Sequence, residues 1–409
     1  MGERCNICGS ENLRKLKFHD MGDIRPILRE ERNILLGKIP FKEVRDYLKN
    51  RLILVARQPG LDYRRDIFVD GFRLGTLEYI KDGRWRYRFI PSGKGASLFY
   101  TLSGIIDFEV EMKGHIKGKK LPRKISSDWE IFSTGNCIGV AVPSREGSKI
   151  KDVFCRRVKP KKKSILEDAV HANMAHLANM EKNAMQLIKR KKAKFVAFSG
   201  GKDSEVALYL AHLAGVNKAI YANTGLEFPE TERFVYNFAD FLGIELIEVK
   251  PKSDFWKMAD NLGIPTKDNR WCTHALKLDS LKRFSGVIVD GTRRYESMAR
   301  FTKGSEYRMG NLRVIYPIID WLALDVWLYI HMKNLPYNPL YDMGYERIGC
   351  YMCPAMLNAE FHRVRKTHPH LYRRWYRYLL KHGFTRDEII DGIWRWKNLP
   401  RKIKELDTG

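Results

Sequence analysis

A short loop with two adjacent glycines constrains this chain more than any other feature. The apolar run FVAFS, residues 195–199, leads into it, and a helical pattern with Val206, Leu210 and Leu213 on one face follows it. Two glycines let the backbone turn tightly and bring its amides against phosphate oxygens, and the next helix N-terminus adds unpaired N–H groups. This order predicts a phosphate-binding site. Its residues are Ser199, Gly200, Gly201, Lys202, Asp203 and Ser204.

The side chains of this loop suit ATP with Mg²⁺. Lys202 adds positive charge, Asp203 supplies an oxygen ligand for the metal ion, and Ser199 and Ser204 supply hydroxyl donors. The spacing fits neither the Walker A loop nor the dinucleotide fingerprint. A glycine turn that binds no ligand is the alternative. We expect Lys202 and Asp203 to act in catalysis as well as in binding.

The pattern around the loop predicts an α/β fold. Apolar runs alternate with helical periods, Pro229 begins one helix at its favoured first position, and Gly243 ends it. Such βαβ alternation predicts a parallel sheet with helices on both faces. The expected helices cover residues 165–192, 203–213 and 229–243, and the expected strands cover residues 194–198, 219–222, 244–249 and 286–290.

The remaining sequence predicts four further segments. Strand-like runs of period two fill residues 51–158, and a basic linker with a proline follows them. The last part of the chain reads as basic helices. The predicted organisation is an N-terminal cysteine and helical segment at 1–50, a β-rich domain at 51–158, a linker and helix at 159–192, the α/β domain at 193–354 and a helical region at 355–409.

The charge of the chain predicts a polyanionic partner. Among its 409 residues, 74 are Lys or Arg and 48 are Asp or Glu, which gives +26. Nucleic acid is the simplest partner, an anionic membrane surface is another, and a solvated thermophile-like surface is the alternative without a partner. The most apolar stretch, residues 314–330, carries Asp320 and Asp325. We therefore expect a cytoplasmic protein with no membrane span.

Five blocks of the chain resemble the phosphoadenosine phosphosulfate (PAPS) reductase family of PP-loop ATP pyrophosphatases, which have the adenine nucleotide alpha-hydrolase-like fold. The blocks are SGGKDS at 199–204, NTGLEFPET at 223–231, WCTHALK at 271–277, GTRRYES at 291–297 and NPLY with GCYMCP at 338–341 and 349–354. The resemblance implies further ATP contacts at Thr224 and Gly291. Arginine side chains at Arg293 and Arg294 suit the neutralisation of phosphate charge during catalysis.

Three cysteines in this part of the chain predict a metal centre. Cys350 and Cys353 have the Cys-x-x-Cys spacing of metal and iron–sulfur ligands, and Cys272 lies in the third block. The resemblance implies a [4Fe–4S] cluster with three protein ligands, whose open iron carries sulfur in similar RNA thiolases. A zinc site, or a redox Cys-x-x-Cys with a buried Cys272, is the alternative, and His274 is an optional fourth ligand.

Four other cysteines predict a structural Zn²⁺ site. Cys5 and Cys8 form half of a zinc ribbon, and the midpoint of Cys137 and Cys155 is residue 146, inside an expected hairpin turn. An in-register hairpin places these two cysteines opposite each other, where they complete the four ligands. Two unrelated buried cysteines are the alternative. Residues 114–142 are weakly similar to an RNA-binding PUA domain, with a generic β-barrel as the alternative.

Basic segments predict where RNA binds. Lys161, Lys162 and Lys163 lie in the linker, and Arg373 and Arg374 lie in a helix, residues 368–381, that interleaves basic and aromatic residues. This pattern suits phosphate contacts and base stacking. The alternative is an amphipathic helix whose aromatic residues enter the core while its arginines face water.

These features together predict an ATP-dependent, iron–sulfur-dependent sulfurtransferase that modifies RNA, with tRNA as the expected substrate. The base is adenylated first, and sulfur from a donor then displaces AMP. The alternative within the family is a PAPS or adenosine phosphosulfate (APS) reductase, or an adenylyltransferase of the sulfate-assimilation type. No cysteine follows Cys353, and the reductases end in a motif with a reactive cysteine. An RNA-binding protein with an inactive loop is disfavoured by the intact SGGKDS.

Overall fold

The computed structural model describes residues 23–112 and 114–400. The chain divides into two compact units after Ala169. The boundary falls inside a long helix, Leu166–Arg190, and not at the start of the predicted linker. No helix among the described residues is long and apolar enough to cross a bilayer.

The first unit begins with a five-stranded antiparallel sheet in the order β1-β2-β3-β4-β5. Its core is formed by strand residues that alternate toward one face, among them Val55, Ile67 and Leu77. Two helices precede the second strand. The elements are β1 Arg25–Pro26, α1 Arg29–Gly37, α2 Lys42–Leu48, β2 Ile53–Arg57, β3 Arg64–Val69, β4 Phe72–Asp82 and β5 Arg84–Pro91.

A second five-stranded sheet follows, in the order β6-β8-β9-β10-β7. The predicted β-rich domain therefore contains two sheets. It also contains a helix, α3, that the period-two pattern did not predict. The elements are α3 Gly93–Ser103, β6 Phe108–Glu109, β7 Lys120–Leu121, β8 Glu130–Thr134, β9 Cys137–Ser144 and β10 Gly147–Phe154. Their likeness to a PUA domain stays a prediction.

The predicted hairpin between Cys137 and Cys155 is present. Ser144 pairs with Gly147 at the turn, and an irregularity between Ile150 and Asp152 shifts the register by one residue. This shift places Cys155 opposite Cys137, and the structure joins the two sulfur atoms as a disulfide. The disulfide leaves neither sulfur as a thiolate, so the prediction that Cys137 and Cys155 are Zn²⁺ ligands is wrong for this state of the protein. Cys5 and Cys8 lie outside the described residues.

The basic linker is part of the first unit. The buried Arg51 side chain donates to the carbonyl oxygens of Lys161 and Lys162 at 3.1 and 2.9 Å, and forms an ion pair with Asp70 at 2.9 Å. The Leu52 amide donates to the Ser164 carbonyl oxygen at 2.7 Å. The linker backbone is thus bound to the sheet, while the side chains of the three lysines at 161–163 are exposed.

The second unit contains a six-stranded sheet in the order β13-β12-β11-β14-β16-β15. The prediction of a parallel sheet is confirmed for the four predicted strands, and the sheet has in addition an edge strand, β15, that forms an antiparallel hairpin with β16. The other neighbours in the sheet are parallel. The strands are β11 Phe195–Ala197, β12 Lys218–Ala222, β13 Glu245–Val249, β14 Gly286–Val289, β15 Glu306–Met309 and β16 Leu312–Ile315.

Helices surround this sheet, and the predicted ones begin and end close to where the sequence places them. Gly243, for example, ends a helix in the left-handed conformation at φ 63°. The helices are α4 Leu166–Arg190, α5 Lys202–Leu213, α6 Pro229–Leu242, α7 Phe255–Leu262, α8 Trp271–Thr273, α9 Asp279–Leu281, α10 Met298–Phe301, α11 Ala323–Met332, α12 Asn358–Thr367, α13 Pro369–Lys381 and α14 Arg386–Asp391. A π-helical turn, His274–Leu278, joins α8 to α9.

The C-terminal helices pack into the core of the second unit. Trp375 and Trp394 are buried in one hydrophobic cluster with Phe228 and Tyr345. Tyr372 is buried there as well, so the aromatic residues of α13 enter the core, as the amphipathic alternative requires. Arg373 and Arg374 remain exposed, and the Arg374 guanidinium lies 4.4 Å from the centre of the Trp256 ring.

Candidate nucleotide and cysteine site

Three neighbouring strands end at one edge of the second sheet, and the predicted site residues follow those ends. The loop at 199–204 follows β11, Thr224 follows β12, and Gly291 follows β14. Strand β11 pairs with β12 on one side and with β14 on the other, so the order of the strands along the sheet reverses at β11. In open α/β sheets this reversal of strand order forms the crevice that binds ligands.

The loop is held by its own hydroxyl groups and by one glycine. Gly200 has φ 74°, which only glycine adopts readily. Ser204 Oγ donates to the Gly201 carbonyl oxygen at 2.8 Å and accepts a hydrogen bond from the Ser199 amide at 3.2 Å. Gly201 has an ordinary φ of −93°, and a Cβ there would meet no protein atom closer than 3.6 Å. Protein packing therefore requires glycine at 200 but not at 201.

Two residues from the NPLY block form hydrogen bonds with the backbone of the loop, a role that the sequence did not predict. The Asn338 side-chain amide donates to the Gly200 carbonyl oxygen at 3.1 Å, and the Tyr341 hydroxyl accepts from the Lys202 amide at 2.9 Å. Both residues are buried. The sequence gave no signal for this role, because the side-chain amide of Asn338 and the phenol of Tyr341 contact backbone atoms that are far away in the sequence.

A chain of ion pairs crosses from the loop to β14. Lys202 Nζ lies 2.6 Å from Asp203 Oδ2, and Arg293 Nε lies 2.6 Å from Asp203 Oδ1. Burial raises the pKa of Asp203, but the charges of Arg293 and Lys202 outweigh burial and lower it from its usual value of 3.8. Both carboxylate oxygens are therefore used within the protein. A Mg²⁺ ion bound to Asp203 would have to use a remaining lone pair of these oxygens or displace one of these partners.

The contacts of the two arginines give them positioning roles. Arg293 is only 1% exposed and also donates to the Trp321 carbonyl oxygen at 3.2 Å. Arg294 lies 2.7 Å from Asp320 and donates to the carbonyl oxygens of Phe301 and Lys303. Their predicted contact with phosphate during catalysis stays a prediction.

Gly291 supports the loop by close packing. A Cβ at this position would lie 2.5 Å from the Asp203 carbonyl oxygen, so only glycine lets β14 approach the start of α5. Thr224 is 4% exposed, and its hydroxyl donates to Glu227 at 2.7 Å. ATP contacts at these two positions stay predictions.

The three cysteines of the second unit pack against one hydrophobic cluster, and Cys350 lies beside Thr224. Thr224 Oγ1 lies 3.7 Å from Cys350 Sγ, and Cys272, Cys350 and Cys353 pack against the same hydrophobic cluster. Among the described residues, no three His, Cys, Asp or Glu side chains are grouped as ligands of one metal ion. The ligands of an iron–sulfur cluster bind different iron atoms, so they are farther apart than the ligands of one ion.

Lys277 is charged and lies among these thiols. Burial lowers the pKa of Lys277, but the nearby thiols of Cys350, Cys353 and Cys272, together with Glu227, raise it overall. Burial raises the pKa of Cys350 to about 12, with Lys277 acting in the opposite direction. Burial also raises the pKa of Cys272. Three soft sulfur donors with one cation nearby fit a thiolate-bound metal or cluster.

A buried acid next to the loop was not predicted. Glu205, on the first turn of α5, has 0% exposure, and neither carboxyl oxygen has a hydrogen-bond partner among the described residues. Burial raises the pKa of Glu205 well above its usual value, and the charge of Asp203 raises it further. Glu205 is therefore a neutral acid in the folded protein. A single Glu in a helical pattern carries no sequence signal of this kind.

Comparison with known proteins agrees with this geometry. Residues 193–356 match the model of the phosphoadenosine phosphosulfate reductase domain. MJ0973 of Methanocaldococcus jannaschii is 37% identical over 383 residues, which cover 87% of this chain and 91% of that protein. An adenosine 5'-phosphosulfate reductase of Bacillus cereus is 30% identical over 167 residues, which cover 38% of this chain and 71% of that enzyme.

The crystal structure of the PAPS reductase from Candida auris aligns with a TM-score of 0.35 and 20% identity, and it covers 43% of this chain and 94% of that one. The residues that match the family model, 193–356, contain the loop, the three cysteines of the second unit and the NPLY block at 338–341. The chain belongs to the phosphoadenosine phosphosulfate reductase family.

We predict that Glu205→Gln stabilises the protein at neutral pH and flattens its pH dependence. The unfolded carboxyl ionises above its usual pKa near 4.5, whereas the folded one stays protonated, so the wild type loses stability as pH rises above that value. Each unit of pKa shift corresponds to about 1.4 kcal/mol. Thermal unfolding of both proteins between pH 4 and pH 8 measures this. Parallel curves for the two proteins would contradict a neutral Glu205.

We predict that the two loop glycines respond differently to alanine. Gly200→Ala should destabilise the fold by about 1–2 kcal/mol, since its left-handed conformation disfavours a Cβ. Gly201→Ala should cost only about 0.5–1 kcal/mol as an altered N-cap, yet should weaken ATP binding at least tenfold by blocking the phosphates. Chemical denaturation and ATP titration separate the two effects. Unchanged ATP affinity in Gly201→Ala would remove the loop from the nucleotide site.

Proposed function

We propose that this protein is an ATP-dependent sulfurtransferase that thiolates RNA, with tRNA as its substrate. The observation that carries this proposal is the contact between the two parts of the site. Thr224 follows the strand next to the nucleotide loop, and its hydroxyl lies 3.7 Å from the sulfur of Cys350. A nucleotide loop and a group of three thiols thus share one edge of the sheet.

The loop would bind ATP through its backbone amides and Lys202. A base carbonyl oxygen would attack the α-phosphorus of ATP, which forms a C–O–P bond and releases pyrophosphate. A sulfur nucleophile from a donor would then attack the same carbon, and the oxygen would leave with AMP. The net change replaces one oxygen of the base by sulfur. Lys202 next to the phosphates would offset the negative charge that develops in the first step.

Cys272, Cys350 and Cys353 would hold the [4Fe–4S] cluster. When bound by three protein ligands, such a cluster offers a further iron position for sulfur. Lys277 contributes a positive charge beside the thiols, which favours their anionic form. The Thr224 hydroxyl is also within contact distance of Cys350, so the strand end that borders the nucleotide loop orients one ligand.

Exposed basic residues support RNA as the substrate. The side chains of Lys161, Lys162 and Lys163 are exposed on a linker whose backbone is bound to the sheet, and Arg373 and Arg374 are exposed on α13. Helix α13 contains no acidic residue. A net charge of +26 exceeds what a small sulfonucleotide requires, whereas a polyanion accounts for it.

We predict that protein purified without oxygen carries iron and sulfide and absorbs near ~400 nm, as such clusters do. Cys272→Ser, Cys350→Ser and Cys353→Ser should each abolish that absorption. Cys137→Ser is the matched control, since this residue lies in the first unit and is bonded to Cys155. Stoichiometric zinc at the three thiols of the second unit would contradict the assignment.

We predict that the protein forms thionucleosides in unmodified tRNA when ATP, Mg²⁺ and sulfide are supplied without oxygen. Mass spectrometry of digested tRNA measures the product, and pyrophosphate release should accompany it. The same preparation should release no sulfite from APS or PAPS with a thiol reductant. Sulfite without thionucleosides would establish the reductase alternative, which the similarity to APS reductases favours.

A further inference from the structure

A basic cavity in the first unit has no role in the site described above. Its volume is about 530 Å³, and it lies between α1, the residues after α2, the start of β2 and the end of the linker. This volume lies within the range of about 300–1,000 Å³ that is typical of ligand pockets. Its charged lining consists of Arg29, Arg32, Lys49, Arg51, Lys163 and Glu167.

The charge of this lining is unbalanced. Five basic residues and one acidic residue line the cavity, and Arg51 is paired with Asp70. Without Arg51, four cations face Glu167, and 4 − 1 gives +3. Arg29, Lys49 and Lys163 are exposed, and their side chains form no hydrogen bond or ion pair with the described residues. Like charges in a concave site repel one another and focus a positive potential into it. A bound anion removes this repulsion.

The fold fixes this arrangement before any ligand binds. Arg32 donates to the carbonyl oxygens of Leu48 and Lys49, which ties α1 to the end of α2. Arg51 holds the linker backbone as described, and its guanidinium lies 3.9 Å from the centre of the Tyr47 ring. The backbone next to Lys163 is therefore ordered, so its position along the wall is set before a ligand binds.

The remaining lining indicates what the cavity recognises. Among the residues that the structure describes, it contains aliphatic side chains such as Ile27, Leu52 and Ile165, but no aromatic ring on which a base could stack. A site with several cations and no aromatic ring contacts phosphates and not base edges. A concave wall also differs from the flat basic face that suits a bilayer.

We propose that this cavity binds the phosphodiester backbone of RNA without regard to its sequence. The inference rests on the proposed function, because it takes RNA as the substrate. Arg29, Lys49 and Lys163 contact successive phosphates, while Arg32 and Arg51 hold the walls. The site lies in the unit that does not contain the nucleotide loop, so it contributes to RNA affinity and not to chemistry.

The test compares two variants with the same loss of charge. One is Arg29→Gln with Lys49→Gln and Lys163→Gln. The matched control is Lys38→Gln with Lys42→Gln and Lys124→Gln, three exposed lysines of the same unit outside the cavity. Binding of a fluorescent single-stranded RNA is measured over a range of salt concentrations, and thermal unfolding confirms that both variants are folded.

The cavity variant should bind RNA more weakly, and its plot of log affinity against log salt should be flatter by about 2, since each lost phosphate contact removes about 0.7. The control should keep the wild-type slope. The single change Lys163→Gln should flatten the slope by about 0.7 and serves if the triple variant unfolds.

Equal slopes for the cavity variant and the control would overturn the cavity assignment and leave RNA as the substrate. No RNA binding by the wild type would overturn this inference and the RNA part of the proposed function together. AMP that displaces RNA from the wild type but not from the cavity variant, at constant ionic strength, would also overturn it, because the cavity would then be a site for free nucleotides.

Discussion

The ion pairs of Asp203 hold together the edge of the second unit's sheet at which the predicted site residues lie. The loop after β11 contributes Lys202 and Asp203, and the segment after β14 contributes Arg293. Arg293 is almost fully buried, so its charge is stable only while Asp203 stays ionised next to it. Breaking such a pair by removing one partner typically costs about 3–5 kcal/mol. Asp203 is therefore first a structural residue, and any contact with Mg²⁺ or phosphate must be compatible with that role.

The position of the nucleotide loop depends on this pair and on contacts from the NPLY block. Asn338 and Tyr341 bind the backbone of Gly200 and Lys202, while Gly291 lets β14 approach the start of α5. Three segments far apart in the sequence therefore fix one turn of backbone. Such a turn is rigid before a ligand arrives, which is what a site that must orient phosphates requires.

Much of the second unit could be predicted from the sequence, and the exceptions have physical reasons. Helix α6 follows from Pro229 and Gly243, because these residues mark helix ends through local backbone geometry. The hairpin of β15 and β16 was missed, since three of the four residues of β15 are exposed and the strand carries no apolar alternation. Its pairing depends on β16, which no local pattern shows. The PP-loop could be predicted because its two adjacent glycines are a local feature of the sequence. The residues that hold it in position come from distant segments and could not be predicted.

The same distinction explains the first unit. Helix α3 begins GKGAS, and glycines usually end helices. Here a Cβ at Gly95 would lie 2.0 Å from the Leu74 carbonyl oxygen, so close packing against β4 requires glycine inside the helix. The aromatic residues of α13 were difficult to interpret for another reason, because the same sequence pattern fits both a base-stacking surface and a helix face that is buried in the core. Burial of Tyr372 and Trp375 decides for the core and leaves Arg373 and Arg374 among the exposed residues of that helix.

The basic character of the chain thus consists of charge without exposed stacking partners at the places described. The linker lysines are held on a backbone that Arg51 binds to the sheet, and the arginines of α13 stand on a helix that its own aromatic residues bind to the core. In both units, contacts on the apolar or buried side of an element hold its charged side in place. Preorganised cations of this kind recognise the regular spacing of phosphates better than they recognise bases. Selection of one nucleotide for modification would then depend on the crevice beside the PP-loop, where Thr224 connects the nucleotide loop to the cysteines.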